Sequence, residues 1–99
     1  MAEPSVSDAV KVKVQNLKAE GDGLFAQKKY KKAYVKYTQA IELDNSNAIL
    51  YANRAASALS MKEYLDAASD AKEAVTIDPT YAKAWARLGK ATHASRRVR

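Results

Sequence analysis

Two short stretches decide the fold of this chain: Ala-Ile-Glu-Leu-Asp at residues 40–44 and Ala-Val-Thr-Ile-Asp at residues 74–78, which lie 34 residues apart. Outward from them, the sequence matches itself at the same spacing. The matching sets are Leu17, Tyr51 and Trp85; Gly21, Ala55 and Gly89; Tyr30 and Tyr64; and Ala33 and Ala67. A period of this length predicts a repeated structural unit, because such units bury their apolar faces by stacking on one another.

The residue types at the repeated positions predict how the helices of each unit pack. In each repeat a bulky residue is followed four residues later by a small one on the same helix face, as Leu17 is by Gly21. The small residue lets a second helix approach closely, and large against small at fixed spacing interlocks the two helices. By its place in this pattern Trp85 is expected in the core, and Tyr30 and Tyr64 are expected to be packing residues.

Local start and stop signals predict five helices and no strand. Ser5 or Ser7 is the expected cap of the first helix, which runs to about Lys28. The next three helices are expected at about residues 30–43, 48–61 and 64–77, the last ended by Asp78-Pro79, because the residue before proline is biased away from helix. The fifth helix is expected to start near Thr80 and to fade over residues 93–99, with a frayed basic end of Arg96, Arg97, Val98 and Arg99.

The period and the recurring order of Leu, Tyr or Trp, then Gly or Ala, Tyr, Ala, Ala and Pro resemble the tetratricopeptide-repeat (TPR) family. The resemblance implies an all-α fold, a superhelix (α-solenoid) of helical hairpins with about five helices. It divides the chain into an N-terminal extension (1–13) that partly continues the first helix, a first repeat (14–47), a second repeat (48–81) and the first helix of an incomplete third repeat (82–99).

The resemblance also implies a binding site. In TPR arrays the first helices of successive repeats line a concave groove, and one subclass, found in co-chaperones, uses this groove as a carboxylate clamp. The clamp holds the C-terminal Glu-Glu-Val-Asp tail of heat-shock chaperones through Lys and Asn on the first helix, Asn on the third, and Lys and Arg on the fifth. The matching positions in this chain are Lys18, Asp22, Asn53, Lys83 and Arg87.

The chemistry of these residue types fits an acidic tail. A tail ending in Asp presents two carboxylates, which accept charge-assisted hydrogen bonds from Lys and Arg. Arg87 can bind a carboxylate bidentately, and Asn53 can donate its amide hydrogens. Both pairs on the first and fifth helices are four residues apart and therefore share a helix face. The apolar floor for the penultimate Val is expected from Phe25, Ala56 and Leu59.

Asp22 departs from the clamp pattern. Asparagine can donate a hydrogen bond to a carboxylate, whereas ionised Asp can only accept one, and two carboxylates in contact repel. Asp22 is expected to pair with Lys18 or, across the groove, with Lys83 or Arg87. Affinity for acidic tails would then fall or depend on pH, and Asp22→Asn would strengthen binding. The alternative is a groove that has changed its ligand.

Composition excludes several classes of function. The chain has 99 residues, no Cys, one His and a net charge of +6, so no thiolate nucleophile, disulfide framework or His cluster for a metal is available. No phosphate-binding glycine loop or nucleophile–base set stands out, and we expect neither a cofactor nor an enzyme. Without an apolar segment for a signal peptide or membrane span, we expect a cytoplasmic protein, with the nucleus as the second compartment.

Three other kinds of partner compete with an acidic tail. Nucleic acid is not expected, because the basic clusters at residues 28–32 and 96–99 carry no interleaved aromatic platform. A homodimer is the second option, since the last helix would expose an apolar face around Trp85 and Leu88. The third is an unrelated partner held by a TPR scaffold. The expected function remains a co-chaperone-like module that binds the acidic tail of a cytosolic heat-shock chaperone.

Overall fold

The computed structural model describes residues 7–97, and within this range it consists of five α-helices without a strand. The helices are α1 (Asp8–Ala26), α2 (Tyr30–Leu43), α3 (Ala48–Ser60), α4 (Tyr64–Ile77) and α5 (Ala82–Arg97). The all-α prediction is confirmed, and the predicted bounds of α2 and α4 match. The suggested cap at Ser5 and the basic end at residues 98–99 lie outside the described residues.

The starts of α1 and α3 are fixed by short polar side chains. The Oγ atom of Ser7 accepts a hydrogen bond from the amide of Val10 at 3.2 Å, which makes Ser7 the cap of α1. Asn47 caps α3 in the same manner, through the amide of Ile49 at 3.0 Å. Such caps satisfy amide groups that have no partner inside the helix. The sequence-based choice between two serines is thereby settled in favour of Ser7.

The turn within each hairpin contains a lysine in the left-handed region. Lys28 has φ 64° and Lys62 has φ 62°, and the two residues are one repeat apart. This region is usually taken by glycine, because a side chain there is strained. The prediction that α1 runs to Lys28 and α3 to Met61 was therefore slightly long, since the chain leaves the helix at Gln27 and Met61 to enter these turns.

The helices stack in chain order, and buried apolar residues form the seams between them. α1 packs on α2, α2 on α3, α3 on α4, and α4 on α5, while α5 also contacts α3. The first seam buries Val14, Ala40, Ile41 and Leu50, and the last buries Ala58, Ala67 and Ala91. The alanines of the last seam let α3, α4 and α5 pack closely.

Gly21 shows why a small residue is needed at its repeat position. A Cβ atom on Gly21 would lie 2.6 Å from Cε1 of the buried Tyr37, so the ring of α2 packs directly on the α1 backbone. Ala55, the equivalent residue of α3, is fully buried. Gly89, the equivalent of α5, has open space where a Cβ would stand. The predicted close approach therefore holds for α1 and α3 but not for α5.

The expectation that Trp85 belongs to the core was wrong. Its side chain is 50% exposed, and its indole Nε1 donates to the carbonyl oxygen of Pro79 at 2.7 Å. The equivalent Leu17 and Tyr51 pack against buried clusters shared with neighbouring helices, whereas no described helix covers this side of α5. Leu88, expected on the same exposed face, is in fact partly buried against the cluster between α3 and α4.

The bounds of α5 also differ from those predicted. The helix begins at Ala82, because the side chain of Asp78 accepts hydrogen bonds from the amide (3.0 Å) and hydroxyl (2.6 Å) of Thr80 and holds that residue in a turn. The helix continues to Arg97, so Arg96 and Arg97 are helical rather than frayed. Basic residues in a last turn are favourable, because they face the negative end of the helix dipole.

Candidate functional site

A large cavity is lined by residues of α1, α3 and α5, with an edge from α4. It has a volume of about 610 Å³ and contains five of the residues singled out from the sequence: Phe25, Ala56, Leu59, Lys83 and Arg87. Lys90 of α5 and Tyr64 of α4 also line it and were not predicted as site residues. Lys90 lies one helical turn beyond Arg87 and two turns beyond Lys83, a spacing that could have revealed it.

A smaller cavity of about 170 Å³ adjoins the first. It shares Phe25, Ala56 and Arg87 with the larger one, and it adds Asp22 and Asn53. The two cavities therefore form one groove, defined here as the concave groove. One end is formed by α1 and α3, and the other end by α5. Four of the five predicted clamp residues thus line the concave groove, and the fifth, Lys18, reaches it through Asp22.

Asp22 is the hub of the α1–α3 end. Its Oδ2 accepts a hydrogen bond from Nζ of Lys18 at 2.8 Å, one helical turn away on α1. Its Oδ1 accepts from the hydroxyl of Tyr37 at 2.5 Å and from Nδ2 of Asn53 at 3.3 Å. Of the three partners expected for Asp22, the structure pairs it with Lys18, and neither Lys83 nor Arg87 forms an ion pair with it.

Tyr37 is a site residue that the sequence did not reveal. Burial, followed by the hydrogen bond to the Asp22 carboxylate, raises the pKa of the Tyr37 hydroxyl well above its usual value. The neutral hydroxyl therefore remains a donor to Asp22. The equivalent position of the second repeat is Ala71, so the internal period gives no indication of this tyrosine. The ring of Tyr37 packs against the backbone of Gly21, and this contact places the Tyr37 hydroxyl beside Asp22.

The α5 end of the groove differs from the α1–α3 end. Lys83, Arg87 and Lys90 lie on successive turns of α5, and within residues 7–97 none of them has an ion pair. The Nη1 atom of Arg87 is buried and has no hydrogen-bond partner there. A buried guanidinium nitrogen without a partner is unfavourable, and an acceptor that enters the groove would satisfy it. The α5 end can therefore receive an anion.

Behind the groove, Arg54 joins three helices. Its Nη2 and Nε atoms donate to both carboxylate oxygens of Asp70 on α4, at 2.7 and 2.8 Å, and its Nη1 donates to Thr38 on α2 at 3.1 Å. The guanidinium also lies 5.2 Å from the ring centre of Tyr34 and 5.8 Å from that of Tyr51. The bond to Asp70 raises the pKa of Arg54. This network holds α3 in register and was not predicted.

Two other kinds of site are missing from the part of the chain that the structure describes. No group of three or more His, Cys, Asp or Glu side chains there is arranged to hold a metal ion. No helix there is both long enough and apolar enough to cross a membrane. Among the described residues, the concave groove is accordingly the strongest candidate site.

Comparisons with known proteins agree with the helical-hairpin fold. The family model of the TPR repeat matches residues 21–62. The small glutamine-rich tetratricopeptide repeat-containing protein 2 of Saccharomyces cerevisiae is 45% identical over 91 residues, which are 92% of this chain and 26% of that protein. A heat shock protein sti1 homolog of Schizosaccharomyces pombe is 47% identical over 79 residues, 80% of this chain and 13% of that protein. The chain thus spans about a quarter or less of these relatives.

A solved structure matches nearly the whole chain. The first TPR of Spaghetti (RPAP3), bound to an HSP90 peptide SRMEEVD, superimposes with a TM-score of 0.87 at 33% identity. The match covers 96% of this chain and 73% of that domain. Together with the helical hairpins and the internal period, this similarity shows that the chain belongs to the tetratricopeptide-repeat family.

Proposed function

We propose that this chain is a peptide-binding module, without catalytic activity, that holds the acidic C-terminal tail of a heat-shock chaperone of the Glu-Glu-Val-Asp type. It would act in the cytosol as part of a co-chaperone. The observation that carries the proposal is the α5 end of the groove, where Lys83 and Arg87 form no ion pair within residues 7–97 and stand beside an apolar cavity. The HSP90 peptide in the similar Spaghetti domain supports it.

Each predicted residue has a role in this proposal. Lys83 and Arg87 bind a carboxylate of the tail, and Arg87 gains a partner for its buried nitrogen. Phe25, Ala56 and Leu59 form an apolar floor, which suits the penultimate Val. Lys18 and Asn53 are the proposed donors at the other end, beside Asp22. The repeat bounds 14–47, 48–81 and 82–99, like these roles, remain predictions.

Calorimetric titration with a peptide ending in Met-Glu-Glu-Val-Asp, as the free acid and as the C-terminal amide, tests the proposal. We expect the free acid to bind more tightly. Lys83→Ala or Arg87→Ala should weaken binding about tenfold or more, because a hydrogen bond to a charged group contributes roughly 1.5–3 kcal/mol. Lys72→Ala, an exposed lysine on α4 outside the groove, is the control and should leave affinity unchanged.

A second function is favoured by one observation. Asp22 already bonds Lys18 and Asn53, so the groove could serve an unrelated partner that does not present two carboxylates. Such a TPR scaffold would bind the free acid and the amide equally or bind neither. Self-association through α5 belongs to the same alternative, because half of the Trp85 side chain is exposed there. Sedimentation equilibrium distinguishes a monomer from a dimer.

A further inference from the structure

The α1–α3 end of the concave groove contains a carboxylate of the protein itself. Both oxygens of Asp22 are engaged, by Lys18 at 2.8 Å, Tyr37 at 2.5 Å and Asn53 at 3.3 Å. Lys18 and Asn53 are the donors that an incoming tail would need at this end. A carboxylate that accepts bonds from these donors stands where a carboxylate of the ligand would otherwise bind.

The opposite end of the groove carries cations that form no ion pair with any described residue. Arg87 lines both cavities, and its Nη1 is buried without a partner among the described residues. Lys83 on the preceding turn has no ion pair within residues 7–97. A tail with two carboxylates therefore finds one free cationic end and one that Asp22 occupies. Bringing a second carboxylate to Lys18 and Asn53 requires that Asp22 give up these bonds, or that two like charges share them.

Tyr37 fixes Asp22 in this position. Its ring is 2% exposed and packs on the backbone of Gly21, so the hydroxyl has little freedom to move away. A hydrogen bond from this hydroxyl to an ionised carboxylate is of the stronger, charge-assisted kind. The arrangement uses a side chain of α2 to hold a side chain of α1 against α3.

We propose that Asp22 is the specificity-determining residue of the groove: a resident carboxylate, positioned by Tyr37, that competes with the terminal carboxylate of a bound tail for Lys18 and Asn53. The inference rests on the proposed function, because it assumes that acidic tails enter this groove. A tail that places one carboxylate at Lys83 and Arg87 binds without displacing Asp22. A tail that also needs Lys18 and Asn53 binds less tightly than it would if residue 22 carried no charge.

The first test compares the wild-type chain with Asp22→Asn in calorimetric titrations with the free-acid and amidated peptides. The substituted asparagine keeps an oxygen for the Tyr37 hydroxyl and removes the competing charge, so affinity for the free acid should rise at least about tenfold, which is about 1.4 kcal/mol. Affinity for the amide should change less than about twofold, within the range of weak surface effects. Glu42→Gln is the matched control, since Glu42 is exposed on α2 and lines neither cavity.

The second test isolates the part of Tyr37. Tyr37→Phe keeps the ring on Gly21 and removes only the hydroxyl, so it should strengthen binding of the free acid severalfold in the wild-type background. In the Asp22→Asn background the effect should be much smaller, because the neutral side chain no longer competes with the tail for Lys18 and Asn53. A merely structural role for the hydroxyl would change both backgrounds equally, and that result would overturn the positioning role. Circular dichroism confirms that each variant is folded.

The outcomes separate this inference from the proposed function. If the wild-type chain binds the free acid as tightly as Asp22→Asn does, or more tightly, the resident carboxylate does not compete and the inference is wrong, while the proposed function stands. If neither chain binds the free acid at millimolar concentration, the proposed function fails and the inference fails with it. If Glu42→Gln strengthened binding of the free acid as much as Asp22→Asn does, the change in net charge alone would explain the higher affinity. That result would also refute the inference.

Discussion

Gly21 and Gly89 occupy the same repeat position, and their replacement by alanine should change stability in opposite directions. In Gly21→Ala the new methyl group would lie 2.6 Å from Cε1 of Tyr37 and 2.9 Å from two further ring atoms. The ring cannot move aside easily, because it is buried and its hydroxyl is bonded to Asp22. In Gly89→Ala the methyl group would meet no atom within 4 Å.

The magnitudes follow from two destabilising effects and one stabilising effect. Overpacking a well-packed site lowers the free energy of unfolding by roughly 1–3 kcal/mol. The higher helix propensity of alanine raises it by up to about 1 kcal/mol relative to glycine. Displacement of the ring also weakens a charge-assisted hydrogen bond, worth roughly 1.5–3 kcal/mol. We therefore expect Gly21→Ala to lower the free energy of unfolding by about 2 kcal/mol, which lowers Tm by about 8–16 °C. Gly89→Ala should raise it by about 0.5–1 kcal/mol, since only the propensity remains.

The assay is thermal and urea unfolding followed by circular dichroism for the wild-type chain and both variants. Gly23→Ala is a further control on α1 itself, because a methyl group there would also meet no atom within 4 Å. It should be neutral or slightly stabilising. If Gly21→Ala proved as stable as Gly89→Ala, the ring of Tyr37 would not be confined and the expected loss of stability would be wrong.

Three other predictions concern stability. Asp70→Ala should lower the free energy of unfolding by about 3 kcal/mol in urea titrations, because it leaves Arg54, 18% exposed, without its counter-charge. Glu20→Ala, which breaks an exposed pair with Lys36, should cost less than about 0.5 kcal/mol in the same assay. Because burial and Asp22 raise the pKa of Tyr37, the folded chain keeps a proton that the unfolded chain loses, so stability should fall as pH rises above about 10, and less so in Tyr37→Phe.

The sequence predicted much of the fold because the determining signals are local or periodic. The bounds of α2 and α4 followed from turn residues and from proline, and Ser7 follows the ordinary preference for caps. Trp85 was misplaced because its repeat position describes contact with a following helix, and no described helix supplies one. The left-handed backbone conformation of Lys28 and Lys62 was not predicted, because glycine is the residue type that usually indicates such a conformation and neither residue is a glycine.

For the candidate site, the sequence predicted which residues line the groove but not the hydrogen bonds that some of them form with other helices. Phe25, Ala56, Lys83 and Arg87 were placed together by helical spacing and by the family resemblance. The bond from Tyr37 to Asp22 joins residues on different helices, 15 positions apart, and nothing repeated marks it. The Arg54–Asp70 network was missed for the same reason. Contacts of this kind depend on how closely two helices approach, which periodicity alone does not specify.

The central claim, that the concave groove receives an acidic C-terminal tail, is tested most directly by NMR mapping of backbone amide shifts during titration with the free-acid peptide ending in Met-Glu-Glu-Val-Asp. We expect the largest changes to cluster at Phe25, Asn53, Ala56, Lys83 and Arg87, and the amidated peptide to produce smaller changes at the same residues. Changes centred on the exposed surfaces of α2 and α4, or on Trp85, would contradict it.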